Sequence, residues 1–249
     1  SKINGDLGES VSGVTEPMRQ RIELPFTGDY DFFEHVLTHE MVHQFQFDIF
    51  AQGKAGQNLQ TLEQVNPPGW FMEGMAEYLS QGPNDPLTTM WIRNAVQNGA
   101  MPTIKQMTDD PDKYFVYRYG EALWRYVGER WGDAAIGEIL QSTTTMGVDR
   151  AFEKELGLTM EQLSDQWRAA LREQYLPQLA TKQRVRDIAT PLLTPKITGG
   201  SIFISPVLSP NGKTIAFFAN GSFKKGEVFI DLYLGDAQTG KRLKRLVAT

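Results

Sequence analysis

The chain has 249 residues, of which 41% are hydrophobic and 22% charged, and its formal net charge is −5. This composition can fill a folded core, so a disordered chain is excluded, and the acidic balance excludes a nucleic-acid-binding protein, which needs clustered Lys and Arg. The absence of cysteine excludes disulfides, thiolate metal sites and a cysteine nucleophile. No apolar run in the sequence reaches the length of a membrane-spanning helix.

The first part of the chain predicts a short strand and a long helix. Residues 18–24 alternate between apolar and polar side chains, which is typical of an edge strand, and Pro25 ends it. Asp31 followed by Glu34 forms a capping pair that predicts a helix from Phe32 to Ala51. Four apolar residues recur at helical spacing along it, so we expect them to face the core: Phe33, Leu37, Met41 and Phe45.

Further helical patterns follow, and then the composition changes. We expect helices over residues 70–81, 86–98, 113–131, 134–141 and 160–176, the last with Thr159 as its N-cap. From residue 197 the pattern becomes short β runs separated by turns, including Asn211-Gly212, a strong hairpin signal. We therefore expect an α+β fold with a mainly helical domain over residues 1–180, a polar linker over 181–196 and a β module over 197–249.

The three histidines of the chain, His35, His39 and His43, lie in one predicted helix. Residues 39–43 read His-Glu-Met-Val-His, an HExxH sequence whose two histidines are four positions apart, so on a helix both imidazoles reach one ion. Glu40 stands beside them, placed to hold and deprotonate a metal-bound water. His35 lies one turn earlier on the same face. We expect an exposed first-turn histidine there, with a substrate contact at the mouth of a cleft as the alternative.

A catalytic zinc also needs a third protein ligand and an open position. No further histidine is free for this role, so the third ligand must be a carboxylate. The metzincin pattern is excluded because Gln46 stands where that pattern requires glycine. Glu73 and Glu77 lie four positions apart on one face of the second predicted helix, where small Gly74 and Ala76 would let the helix approach closely. The alternative is that both glutamates are solvated surface charges.

An HExxH helix followed by a helix reading Trp-x-x-Glu-Gly-x-Ala-Glu-Tyr (70–78) resembles the gluzincin metallopeptidases, specifically the peptidase-MA-like and aminopeptidase N families. The resemblance implies a zincin-type catalytic domain in which His39, His43 and Glu73 bind Zn²⁺. It implies that Glu40 is the general base. Such an enzyme would be a zinc metallopeptidase.

Two more positions match these families. The resemblance implies that Glu77 supports His39 through the free ring nitrogen. Tyr117-x-x-Gly120 is similar to the Tyr-x-x-Gly of aminopeptidase N relatives, which implies that Tyr117 steadies the oxyanion of the tetrahedral intermediate. The alternative is a tyrosine that packs in the core. The Gly-x-Met-Glu-Asn strand that recognises a free amine in those families does not occur here, so aminopeptidase activity is not expected.

The β module resembles a repeat of the TolB-like β-propeller, on the segments Ser-Pro-Asn-Gly-Lys (209–213) and Asp-Leu-Tyr-Leu (231–234). A propeller typically takes about four to eight blades, so we expect this to be a first blade, with the remaining blades missing from this chain. The alternative is a small independent β sheet. Such propellers usually bind proteins or peptides, so the resemblance implies that this module presents substrate to the zinc site.

The sequence therefore predicts a zinc-dependent peptidase acting on a peptide or protein substrate, with residues 21–24 aligning an extended peptide by β-augmentation. One alternative is a non-catalytic peptide- or protein-binding scaffold that retains the zinc site. Another is a peptide-binding subunit dominated by the propeller. The segment before Asp31 is short for the N-terminal sheet of the gluzincins, so we expect an incomplete catalytic domain. Fusions of this kind resemble bacterial exported proteins, which predicts a periplasmic or extracellular location.

Overall fold

Helices make up most of residues 13–181, and a four-stranded antiparallel sheet follows them, in a computed structural model of the protein. The structure describes residues 13–53, 60–183, 185–200, 202–224 and 227–247. The α+β fold class predicted from the sequence is thereby confirmed. The chain divides into two units, Ser1–Thr181 and Lys182–Thr249.

The first unit begins with a small hairpin. Strands β1 (Val14–Glu16) and β2 (Arg21–Glu23) pair antiparallel on either side of a 3-10 turn at Pro17–Arg19. The prediction of one strand over residues 18–24 was therefore wrong in its first half. Pro17 starts the turn because its fixed φ suits the first helical position, and Gln20 ends it in the left-handed region at φ 50°.

Nine helices follow in the part of the first unit that the structure describes. They are α1 (Tyr30–Phe50), α2 (Gln60–Val65), α3 (Gly69–Gln81), α4 (Pro86–Gln97), α5 (Ile104–Asp109), α6 (Val116–Trp131), α7 (Asp133–Met146), α8 (Val148–Leu156) and α9 (Met160–Leu179). None of the described helices in the chain is both long and apolar enough to cross a membrane.

Helix α1 differs from its prediction in its cap and in its buried face. Its N-cap is Asp29, whose carboxylate accepts a hydrogen bond from the Phe32 backbone N–H at 3.0 Å, so the predicted Asp31–Glu34 cap was wrong. Met41 and Phe45 are 44% and 63% exposed, so the expectation that they face the core was also wrong. The buried face of α1 packs against α3. It is largely polar and consists of Val36, His39, Glu40, His43, Gln46 and Phe50.

The core of the first unit lies where α3 crosses α6. Trp124 is fully buried in contact with Phe71, and its indole N–H donates to the Phe71 carbonyl at 3.0 Å. At the crossing, a Cβ added to Gly74 would lie 2.4 Å from the Cα of Gly120, so the two backbones are in direct contact. This contact, with the aromatic packing beside it, fixes α3 between α6 and α1 and so holds the glutamates of α3 against the histidines of α1.

In its described residues, the second unit contains two short helices, α10 (Val185–Ile188) and α11 (Pro195–Thr198), and one sheet. The strands are β3 (Phe203–Leu208), β4 (Thr214–Lys224), β5 (Glu227–Asp236) and β6 (Arg242–Val247), in the order β3-β4-β5-β6 with every pair antiparallel. Ile215, Phe217, Ala219 and Tyr233 are buried, and Leu192, Leu193 and Phe203 pack against them.

Candidate metal centre

Helices α1 and α3 bring two imidazoles and one carboxylate together. Nε2 of His39 and Nε2 of His43 lie 3.1 Å apart, because residues four positions apart share one face of a helix. Oε2 of Glu73 lies 3.2 Å from the first nitrogen and 3.1 Å from the second. Three potential ligand atoms therefore converge on one point at the surface of the first unit.

The donor set fits a metal ion. Ligand atoms about 2.0–2.1 Å from a tetrahedral ion lie roughly 3.3–3.4 Å from one another, close to the separations between His39, His43 and Glu73. When both imidazoles are neutral and unprotonated at Nε2, each of the three atoms offers a lone pair, so one shared cation would be bound by all of them. These residues could therefore hold a metal ion.

The histidines and the glutamates of this group shift one another's pKa values toward the charged forms. Burial lowers the pKa of His39, but the contacts with Glu73 and Glu77 outweigh it and raise the pKa to about 9. Burial raises the pKa of the Glu73 carboxyl, but His39 and His43 outweigh it and bring the pKa to about 2. The carboxylate is therefore ionised across the physiological range, as a metal ligand must be.

Both histidines have a second partner on the other ring nitrogen. Nδ1 of His39 lies 3.1 Å from Oε1 of Glu77. Nδ1 of His43 is 2.8 Å from Oε1 of Gln46, which is fully buried and donates through Nε2 to the Met72 carbonyl at 3.0 Å. Such partners fix the tautomer and orientation of a ligating imidazole. In the sequence Gln46 only breaks the metzincin pattern, and its position three residues after His43 is the signal for this role.

Glu77 is itself held by an arginine that the sequence did not single out. Nη1 of Arg118 donates to Oε2 of Glu77 at 3.1 Å and to Oδ2 of Asp85 at 2.8 Å. Asp85 is buried and caps α4 by accepting from the backbone N–H groups of Leu87 and Thr88. Burial raises the pKa of Glu77, but contacts with histidine and with Arg118 outweigh it and lower the pKa to about 2.

His35 belongs to the same cluster. Its Nε2 lies 3.4 Å from Oε1 of Glu77, and its side chain is only 18% exposed. The expectation of an exposed first-turn histidine was wrong, because α1 begins at Tyr30 and the second turn faces α3. His35, His39 and Glu77 form another group whose atoms lie close enough together to hold a metal ion.

Glu40, the predicted base, is buried beside the candidate ligands and is held from β1. Oγ1 of Thr15 donates to Oε2 of Glu40 at 2.6 Å and lies 2.9 Å from the Glu40 carbonyl oxygen. The strand that lines the cleft is thus Val14–Glu16, whereas residues 21–24, expected to align a peptide, belong to the paired strand and its end. Thr15 was missed because a lone threonine in a three-residue strand gives no sequence signal.

Tyr117 lies in the first turn of α6, over the imidazole of His39. The two rings are stacked, with centroids 6.0 Å apart and planes at 25°. Burial and the adjacent Glu73 carboxylate raise the pKa of the Tyr117 hydroxyl, so it is a neutral donor at physiological pH. Tyr119, two residues on, is buried in the core in contact with Tyr114. The two tyrosines therefore have different surroundings.

Two clefts meet at this cluster. The larger, of about 610 Å³, is bordered by Val14, Thr15 and the segment from Leu62 to Glu73. The smaller, of about 410 Å³, extends toward the N-terminal end of α1 and the start of α6. Both clefts are lined by four shared residues: Gly13, His39, Glu40 and Tyr117.

Compared with protein-family models, with curated proteins and with solved structures, the chain has no match.

Proposed function

We propose that the protein is a zinc-dependent peptidase of the gluzincin type. The observation that carries the proposal is the convergence of Nε2 of His39, Nε2 of His43 and Oε2 of Glu73 within 3.2 Å, with the carboxylate of Glu40 buried beside them. Two imidazoles with one carboxylate are the ligand set of catalytic zinc in peptidases, and among common ions zinc suits it best.

The ligands His39, His43 and Glu73 would hold the ion, and Glu77 and Gln46 would orient the two imidazoles. Bound zinc would supply a Lewis acid for the scissile carbonyl and would acidify a water molecule. The proton transfers and the hydrogen bond to the oxyanion would be made by the protein's own side chains.

Glu40 accepts the proton of the attacking water and passes it to the leaving amine as the carbon–nitrogen bond breaks. The hydrogen bond from Thr15 to Oε2 holds one carboxylate oxygen and leaves Oε1 for the proton. The phenol of Tyr117, kept protonated by its raised pKa, donates a hydrogen bond to the oxyanion that develops on the substrate. Among the described residues β1 pairs only with β2, so its other edge supports binding of an extended peptide by β-augmentation.

The main alternative is a binding scaffold without catalysis. The supported position of Glu40 favours the enzyme, because a peptide scaffold has no use for a carboxylate buried beside the candidate metal ligands and held by Thr15. For the second unit, a four-stranded antiparallel sheet with strands in sequential order supports the proposal of a propeller blade that binds peptide or protein.

The test combines metal analysis with a library of internally quenched peptides. Protein purified without chelator should contain close to one zinc per chain and should cleave a subset of the library. Glu40→Gln should retain the zinc and lose nearly all turnover, because only the proton acceptor is removed. A protein that binds no zinc, or a Glu40→Gln variant that cleaves at the parent rate, would reject the proposal.

A further inference from the structure

The smaller of the two clefts has aromatic walls. Phe32 on α1 and Phe115, directly before α6, both line it, and they are 40% and 45% exposed. Phe115 contacts two further rings, Tyr117 at 5.4 Å and Trp91 at 5.5 Å between centroids. These contacts hold the ring in one place. We call the space between Phe32, Val36 and Phe115 the aromatic cleft.

The aromatic cleft opens directly on the proposed reaction centre. His39, Glu40 and Tyr117 line both clefts, so a chain laid across them has side chains on each side of these residues. Its volume of about 410 Å³ falls within the range of about 300–1,000 Å³ typical of ligand pockets. The cleft is therefore continuous with the candidate site and large enough for a bulky side chain.

The charges at the base of the aromatic cleft are already paired. Glu77 is buried and lies 3.1 Å from Nη1 of Arg118 and 3.4 Å from His35. A further anion or cation entering here would compete with these pairs, whereas an uncharged ring would not. An aromatic ring would also find the faces of Phe32 and Phe115, and offset or edge contacts between rings are favourable beyond the area that they bury.

The larger cleft has a different character. Phe47, Leu62 and Met72 line it together with the polar side chains of Glu63 and Asn66, and the ring of Phe47 is stacked on the imidazole of His43. The larger cleft therefore mixes one ring with aliphatic and polar side chains, whereas the smaller cleft presents the two exposed phenylalanine rings of Phe32 and Phe115.

We propose that the aromatic cleft is a specificity subsite that binds an aromatic side chain of an extended peptide substrate next to the bond that is cleaved. The inference rests on the proposed peptidase function and adds its substrate class. Phe32 and Phe115 are the specificity-determining residues. Replacing either ring should reduce the preference for an aromatic residue on the order of tenfold, as is usual for one lost apolar contact in a selective pocket.

The experiment measures binding separately from cleavage. Zinc-loaded protein carrying Glu40→Gln is titrated with a set of alanine-rich peptides in which one phenylalanine is moved along the sequence. One register should bind about tenfold more tightly than the all-alanine peptide. Phe32→Ala and Phe115→Ala, each added to this background, should remove the gain, while Phe115→Trp should keep it because a ring remains.

Phe45→Ala is the matched control, since Phe45 is an exposed phenylalanine of α1 that lines neither cleft. The same peptides are then offered to the parent protein for cleavage. An aromatic preference in binding without any cleavage would reject the peptidase and keep the subsite. Cleavage or binding with no aromatic preference, or a preference that survives both alanine variants, would overturn the subsite, as would a parent that binds none of the peptides.

Discussion

Oε1 of Glu77 lies 3.1 Å from Nδ1 of His39, on the opposite side of the imidazole from the Nε2 that faces Glu73. The carboxylate is itself fixed, because its other oxygen accepts from Arg118, which also binds Asp85. The orientation of a candidate metal ligand on α1 is thus determined by residues on α3, α6 and the start of α4.

Removal of this support should weaken metal binding without removing a ligand. Glu77→Ala should lower zinc affinity by about 10–100-fold. Arg118→Met should also lower zinc affinity and should destabilise the fold by up to ~3 kcal/mol, because Glu77 and Asp85 are left buried without their cation. Competition with a chromogenic chelator measures the first effect and urea unfolding the second.

Lys105→Met is the control for loss of a cation, since the Lys105 pair with Asp109 is exposed and should change stability by less than about 0.5 kcal/mol. Arg118→Lys should recover part of the zinc affinity, because a charge returns without the fork geometry. Normal zinc affinity in both Glu77→Ala and Arg118→Met would contradict an orienting role.

The contact between Thr15 and Glu40 predicts a kinetic effect. Thr15→Val should lower kcat about tenfold with little change in KM, a fraction of the ~10²–10⁴-fold that a general base contributes. Thr15→Ser should behave like the parent, because it keeps the hydroxyl. Zinc content should stay constant in all three proteins. Equal kcat in the valine and serine variants would mean that the hydrogen bond does not position the base.

Tyr117 and Tyr119 provide a matched pair for the oxyanion donor. Tyr117→Phe should lower kcat on the order of 100-fold, about 3 kcal/mol, with little change in KM, because the donor acts only in the transition state. Tyr119→Phe should leave kcat nearly intact and cost about 1 kcal/mol of stability at most, since Tyr119 is a core residue. The two variants should be compared for kcat and Tm at one zinc concentration. Equal, small effects would assign the oxyanion to another donor.

Glu121 predicts a dependence of stability on pH. It is 0% exposed. Burial raises its pKa to about 7, despite a hydrogen bond with Thr88 and the nearby cation of Arg125. The folded state therefore binds the proton more tightly than the unfolded state does. Its contribution to the free energy of unfolding is complete below about pH 4.5 and is lost as pH rises through about 7, by up to ~3 kcal/mol.

Glu121→Gln should remove this contribution, because the amide is neutral at every pH. Urea unfolding at pH 5 and pH 8 should show a smaller loss of stability in the variant than in the parent. The exposed Glu173→Gln should keep the parent's loss. If the parent and Glu121→Gln lose the same free energy between these pH values, the carboxyl is ionised in the folded state throughout.

Sequence reasoning succeeded where the determinants are local. The spacing of His39 and His43 places them on one helix face whatever the rest of the fold does. Thr159 caps α9 as predicted, with a reciprocal hydrogen bond to Gln162 that identifies such caps. Gly82 and Gly132 end α3 and α6 at the predicted positions, since both adopt positive φ values.

The sequence does not predict contacts that join distant segments. Thr15 and Glu40 are 25 positions apart, and Arg118 and Glu77 are 41 apart, so no local pattern links them. The orientation of α1 was wrong for a related reason. An apolar stripe predicts the buried face only if the core is apolar, and here the side of α1 that meets α3 carries the candidate metal ligands His39 and His43.

The direct backbone contact between Gly74 and Gly120 joins the two helices that carry Glu73 and Tyr117 of the proposed reaction centre. Glu73 precedes the first glycine by one residue and Tyr117 precedes the second by three, so the distance between ligand and oxyanion donor is set where the helices cross. A methyl group there, 2.4 Å from its neighbour, would have to push the helices apart by about 1 Å to reach ordinary contact, and a misplacement of that size can cost about 10²-fold in rate. At this crossing, the absence of two side chains sets the spacing on which the chemistry depends.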